Sequence, residues 1–152
     1  MSDNAGVIAP PPLIALGAIG IGFALEAIWP TVLPAREARI IAGIAIFALG
    51  FAAATWAFVA FHRAGTNVQT RLPSTDVVTR GPYRFSRNPI YLGMALGIVA
   101  VGIAAGSGWV TAMVLPFLAA IRFGVIAREE RYLEGKFGAG YRDYQAQVRR
   151  WI

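Results

Sequence analysis

The sequence predicts an all-α fold: a polytopic membrane helical bundle of about four transmembrane helices, the last two a tight hairpin, with cytosolic helices at the C-terminus. Three observations carry this. Residues 40–61 and 88–121 contain no Asp, Glu, Lys or Arg, and uncharged apolar runs beyond about 18 residues read as membrane spans rather than core helices. The whole chain is 57% apolar and 14% charged, above the usual apolar share of about half. All but one of its 14 basic residues are arginines, clustered beside the apolar runs where anionic headgroups lie.

At 152 residues the chain reads as one integral membrane domain, 1–152. Its net charge of +6 is better explained by membrane flanking than by nucleic acid. The absence of cysteine excludes disulfides, thiolate metal sites and a cysteine nucleophile. The opening MSDNAGVIAPPP lacks the basic n-region of a cleaved leader, so the first span is expected to stay.

That span covers residues 12–29, closed by Pro30 and Pro34. Gly17, Gly20 and Gly22 give it a smooth side for close helix packing. Glu26, near its far end, reads as an interfacial or partner-paired acid without a catalytic role. After the link 35–39, the second span covers residues 40–61 and ends in His62-Arg63. A lone histidine there is an interfacial residue rather than a metal ligand, and no metal site is expected.

Residues 63–88 form the longest polar segment. Within it 75–78 can extend, Arg80-Gly81-Pro82-Tyr83 is a turn, and Ser86 is the expected N-cap of a helix with Pro89 in its first turn. The apolar run 90–121 exceeds one perpendicular span, and Gly106-Ser107-Gly108 divides it, with the second half reaching Ile126 if Arg122 is tolerated. A helical hairpin or a re-entrant hairpin both fit. Gly93 and Gly97, spaced GxxxG, are expected to let its helices approach. From Arg128 the chain leaves the membrane as a charged helix broken at 135–140. A short amphipathic helix then runs to Ile152 with Tyr141, Tyr144, Val148 and Trp151 on one stripe.

Counted by side, Arg36 and Arg39 lie on one face of a four-span arrangement and the other basic residues on the opposite one. The positive-inside rule then puts both termini, the 63–88 segment and the C-terminal segment in the cytoplasm, in a bacterial inner membrane. The two longest polar segments therefore share a side. Arg122 and Glu129, seven residues apart, would share a helix face. Two readings stand: Arg122 holds a lipid anion while Glu129 binds a cationic or amine group, or Arg122 snorkels to phosphate and Glu129 pairs with a neighbouring arginine.

The ordered motifs Arg80-Gly81-Pro82-Tyr83-Arg84-Phe85-Ser86-Arg87-Asn88-Pro89-Ile90-Tyr91-Leu92-Gly93, Glu129-Glu130, Phe137-Gly138-Ala139-Gly140-Tyr141-Arg142-Asp143-Tyr144 and Val148-Arg149-Arg150-Trp151-Ile152 resemble the isoprenylcysteine carboxyl methyltransferase family and its phospholipid methyltransferase relatives. The resemblance covers about residues 68–152. It implies methyl transfer from S-adenosyl-L-methionine to a lipidic or small amphiphilic acceptor, by a core at 63–152 behind two N-terminal spans at 1–62. By position, the implied cofactor contacts are Thr75, Asp76, Val77, Val78, Tyr83, Asn88, Pro89, Ile90, Tyr91 and Glu129. Glu129, Arg122 and Arg128 are the implied catalytic candidates.

Two positions depart from the family pattern. Asn88 stands where eukaryotic prenylcysteine enzymes carry histidine. Val125 stands where the family's substrate-carboxylate arginine lies, so either Arg122 or Arg128 replaces it or the acceptor is not a prenylcysteine carboxylate. The expected partners are the lipid bilayer and an amphiphilic small molecule, with no nucleic acid, in a monomer or homodimer. A membrane sterol reductase using NADPH and a non-enzymatic membrane assembly subunit are the rival readings.

Overall fold

The computed structural model describes residues 6–65 and 77–152, and among them it contains helices and no strand. Helix α1 (Pro11–Ile28) starts with proline in its first turn, where the missing N–H is one the helix would leave unpaired anyway. Helix α2 (Arg36–Arg63) extends past the apolar run at both ends. It carries Glu37 in its first turn and Arg63 in its last, charges that suit the helix dipole. A 3-10 turn (Gly81–Arg84) leads into α3 (Pro89–Ala105). α1, α2 and the Gly108–Phe137 stretch are each long and apolar enough to cross a membrane, and α3 is a shorter apolar helix.

The N-cap of α3 differs from expectation. Asn88 occupies it without a side-chain capping bond, while Ser86 Oγ accepts the Asn88 N–H at 3.1 Å, one turn short of the helix. Pro89 sits at the start of the helix as expected. At the other end Gly106 turns the chain at φ 74°, a conformation glycine adopts without strain. Ser107 then caps α4 (Gly108–Ala112) by accepting from Val110 N–H.

The return arm of the hairpin is a bent rod. Helix α4 gives way at Met113 to α5 (Val114–Ala120), because Pro116 has no N–H to offer the carbonyl four residues back and its ring crowds it. A π-helical stretch (Ile121–Ile126) follows, then α6 (Ala127–Phe137). Gly124, Val125 and Ile126 are all buried in succession, which the wider π turn permits. Helix α6 continues through Gly135 and stops at Gly138, φ 54°.

Helix α3 is packed between α2 on one side and α1, α4 and α5 on the other. The buried residues of α2 are Gly43, Gly50 and Ala57, seven apart and small, so they form a seam along which backbones meet. A Cβ on Gly93 would lie 2.7 Å from the Gly50 carbonyl oxygen, and one on Gly50 would lie 2.9 Å from that of Gly93. Gly93 thus serves the α2 contact rather than the hairpin, and Gly97 has open space beside it. The hairpin's own close approach is Gly102 against Thr111. In α1 only Gly22 is used in this way, against Val110, while Gly17 and Gly20 face open space.

Two apolar clusters result. One joins Ala18 of α1, Tyr91, Ala95 and Ile98 of α3, and Phe117, Ile121, Val125 and Ile126 of the return arm. The other joins Ala57 and Val78 to Tyr83, Tyr141 and Tyr144. Ile90 packs against both.

At the hairpin turn, Glu26 accepts hydrogen bonds from the Thr31 N–H, from the Thr31 hydroxyl at 2.9 and 2.8 Å, and from the Ser107 hydroxyl. Thr31 Oγ1 in turn accepts from Gly108 N–H at 2.7 Å, and Trp109 donates to the Trp29 carbonyl at 2.8 Å. The partner-paired acid is thereby identified: it ties α1 to the α3–α4 turn.

Candidate active site

The opposite end of the bundle gathers the 3-10 turn, the start of α3, the α6 and α7 (Ala139–Gln147) helices and the C-terminal residues. The last five residues are not helical. Val148 turns extended at φ −122°, ψ 128°, because the tail carbonyls are taken by the chain before α3. Arg87 N–H donates to the Arg149 carbonyl at 3.1 Å, and the Asn88 amide and Ser86 hydroxyl donate to that of Arg150 at 2.9 and 3.3 Å. These cross-links replace the helical bonds that a helix to Ile152 would need. Tyr141 and Tyr144 remain buried on α7, while Trp151 packs instead against the first cluster.

Tyr91 and Glu129 meet here. The Tyr91 hydroxyl donates to Glu129 Oε1 at 2.7 Å, joining the first turn of α3 to the first turn of α6. Tyr83, 5% exposed, stands beside them. Its ring meets Phe61 edge-on at 5.1 Å, and its carbonyl accepts the Tyr144 hydroxyl at 2.8 Å. Burial pushes the Tyr83 phenol well above its ordinary range, with Tyr144 and Glu129 adding to the effect. Burial also raises Tyr144, and Tyr141 to about 12. All three are neutral hydroxyls near neutral pH.

The remaining positions divide. Val78 is buried in the second cluster and Val77 is packed against it; both line a cavity of about 600 Å³ with Trp56, Ala60, Arg63 and Gly81. Pro89 is buried and Ile90 is half-buried. Asn88, 9% exposed, has its amide nitrogen committed to the Arg150 carbonyl, and its side-chain oxygen can act only as an acceptor. Thr75 and Asp76 lie outside the described residues.

Arg122 and Arg128 are not drawn to Glu129. Arg122 is half-buried, its guanidinium 5.7 Å from the Phe123 ring centroid. Arg128 is exposed and donates to the Gly6 carbonyl at 2.8 Å. The shared face expected from a seven-residue spacing assumes α-helix throughout, and the π-helical stretch between Arg122 and Glu129 shifts that phase. Val125 is fully buried in the first cluster.

Three residues of the ordered motifs to which no role was assigned enter the site. Glu130 accepts from Arg150 Nε at 2.9 Å and Nη2 at 2.6 Å, and Arg87 Nη1 lies 3.3 Å from its Oε1. The signal was present in Glu129-Glu130 and Arg149-Arg150, but only the fold brings a C-terminal arginine onto α6.

A family model described as phospholipid methyltransferase matches residues 38–140. A protein of Haemophilus influenzae described as uncharacterized is 41% identical over 63 residues, which is 41% of this chain and the whole of that one. No solved structure matches. The match to the family model runs from α2 through the 3-10 turn, the hairpin and the Glu129-Glu130 pair into α7, well over half of the chain, and the chain belongs to the phospholipid methyltransferase family of membrane methyltransferases.

Proposed function

We propose that this chain transfers a methyl group from S-adenosylmethionine to a lipidic or small amphiphilic acceptor, with its Glu129 end at the cytosolic face. The observation that carries the reading is the Tyr91–Glu129 hydrogen bond, within a family-matched region, at the end of the bundle where both polar segments converge. The residues present suit such a cofactor. Glu129 keeps a carboxylate oxygen for a cationic group, Asn88 Oδ1 is an acceptor for an ammonium, and the rings of Tyr83 and Tyr91 offer faces that favour a cation. Of the implied contacts, Val77 and Val78 line a cavity of about 600 Å³, a size in the range of small-molecule pockets.

S-adenosylmethionine supplies an electrophilic methyl on a sulfonium. The protein's part is alignment and exclusion of water: Tyr91 holds Glu129 in place, and the tail bonds to Ser86, Arg87 and Asn88 hold the loop that precedes α3. His62, the chain's one histidine, is exposed at the end of α2 and serves no base role here. An acceptor already nucleophilic near neutral pH fits best. Because Val125 is buried and Arg122 and Arg128 are engaged elsewhere, the acceptor we infer is not a prenylcysteine carboxylate.

The test has two stages. Purified protein is titrated with adenosylmethionine and with NADPH, and binding of adenosylmethionine is expected. Binding of only NADPH would replace this reading with the reductase one, and binding of neither would favour an assembly subunit. Radiolabelled methyl transfer to native membrane lipids and prenylated thiols, with mass spectrometry of the product, then identifies the acceptor. A base-labile ester would restore the prenylcysteine-type acceptor.

A further inference from the structure

Arg87 is a residue to which the reading above gives no task beyond its backbone. Its side chain is 10% exposed. It lies in ion-pair range of Glu130, but Arg150 already donates to both oxygens of that carboxylate. Two guanidiniums therefore share one acid that is 14% exposed, and one positive charge is left over. Arg87 Nε and Nη1 are buried without any hydrogen-bond acceptor.

A buried guanidinium with unpaired N–H groups is costly and persists where something completes it. The neighbours on the page do not. Tyr141 and Tyr144, close enough to feel the charge of Arg87, are neutral phenols. Glu129 is bonded to Tyr91. None of these groups supplies an acceptor to Arg87 Nε.

We propose that Arg87 binds an anionic group of the ligand, the carboxylate at the amino-acid end of S-adenosylmethionine, while Glu129 on the adjoining helix faces the cationic part. The inference rests on the methyltransferase reading and assigns one side chain within it. A planar fork of N–H donors matches a carboxylate, and Arg87 reaches Glu130, the chain neighbour of Glu129, so one zwitterion can meet both charges. Arg150 then acts as a positioning residue: by taking both oxygens of Glu130 it leaves Arg87 free for the ligand.

The experiment is calorimetric titration of the full chain in lipid nanodiscs with S-adenosylmethionine, decarboxylated S-adenosylmethionine and NADPH. The decarboxylated ligand keeps the sulfonium and the amine and lacks only the carboxylate. The wild-type protein is expected to prefer the intact cofactor by on the order of tenfold to a hundredfold. Arg87→Gln should remove most of that preference by weakening the intact cofactor alone, and Arg87→Lys should retain part of it. Equal weakening of both adenosyl ligands, or of neither, would overturn the role of Arg87 and leave the methyltransferase reading standing. Should Arg87→Gln fail to fold, the wild-type preference and Arg87→Lys still decide, since a wild-type protein indifferent to the carboxylate overturns the proposal. Binding of NADPH in place of both adenosyl ligands would instead overturn the methyltransferase reading itself.

Discussion

Glu26 and Glu129 stand at opposite ends of the bundle, roughly 24 Å apart along α3, and they are used to different degrees. Glu26 has three donor groups on its carboxylate, all from the protein. Glu129 has the one hydroxyl of Tyr91, and the Arg87 guanidinium, 3.3 Å from its neighbour Glu130, has two buried nitrogens without a hydrogen bond. Polar groups inside a fold are normally satisfied, and a satisfied cluster fixes geometry. Arg39 Nε, against Gly106 at the Glu26 end, is also buried without an acceptor, so the contrast lies in the acids: of the two, only Glu129 keeps an oxygen to which no described residue brings a donor. The difference fits an architectural role for Glu26 and the binding role proposed for Glu129, although both look alike as single glutamates beside apolar runs.

The largest expected effect comes from Glu129→Gln. The amide oxygen still accepts from Tyr91, so shape and packing are kept and only the charge is lost. Affinity for adenosylmethionine should fall on the order of tenfold to a hundredfold while the thermal midpoint in detergent stays within error. If the midpoint dropped and affinity per folded molecule did not, Glu129 would be architectural, like Glu26.

At the other end, Ser107→Ala removes the hydroxyl that caps α4 and donates to Glu26. Ser107 is 2% exposed, so the loss should cost about 1–2 kcal/mol, seen as a lower thermal or denaturant midpoint with cofactor affinity unchanged. A loss of affinity equal to that of Glu129→Gln would erase the distinction between the two ends.

How legible each end was in the sequence follows from the range of the interactions involved. Spans, the Gly106 turn and the stop before Pro30 are local, set by apolar runs and by proline and glycine, and α1 ends within a residue of expectation. The break before Pro116 is equally local in cause but not among the expectations, which run the return arm unbroken to Ile126. The glycine contacts were not, because a small residue does not state which helix it meets, and Gly93 turned to α2. The π-helical stretch at Ile121–Ile126 leaves no pattern that a 3.6-residue period recognises, so the alignment of Arg122 with Glu129 was misjudged. The tail failed for a related reason: its stripe of Tyr141, Tyr144, Val148 and Trp151 is helical in spacing, but the N–H donors at Arg87 and Asn88, about sixty residues away in sequence, take its last carbonyls.

The smallest effect sharpens the comparison within α6, which carries both Glu130 and Glu134. Arg142 pairs with Glu134 at 3.6 Å, with side chains 60% and 44% exposed. Arg150 pairs with Glu130 at 2.6 Å, with side chains 27% and 14% exposed. An exposed pair gains little over its hydrated charges and is screened by salt. Arg142→Ala should therefore change stability by less than about 0.5 kcal/mol and leave cofactor affinity where it was, both read in the assays used for Ser107→Ala. A tenfold loss of affinity in this variant would extend the unsatisfied region across α7 to its outer face and would remove the reason for centring it on Glu129 and Arg87. An unchanged affinity confines it to the groups whose charges are shielded from solvent, since an acid and a base in water already have partners and need no ligand to complete them.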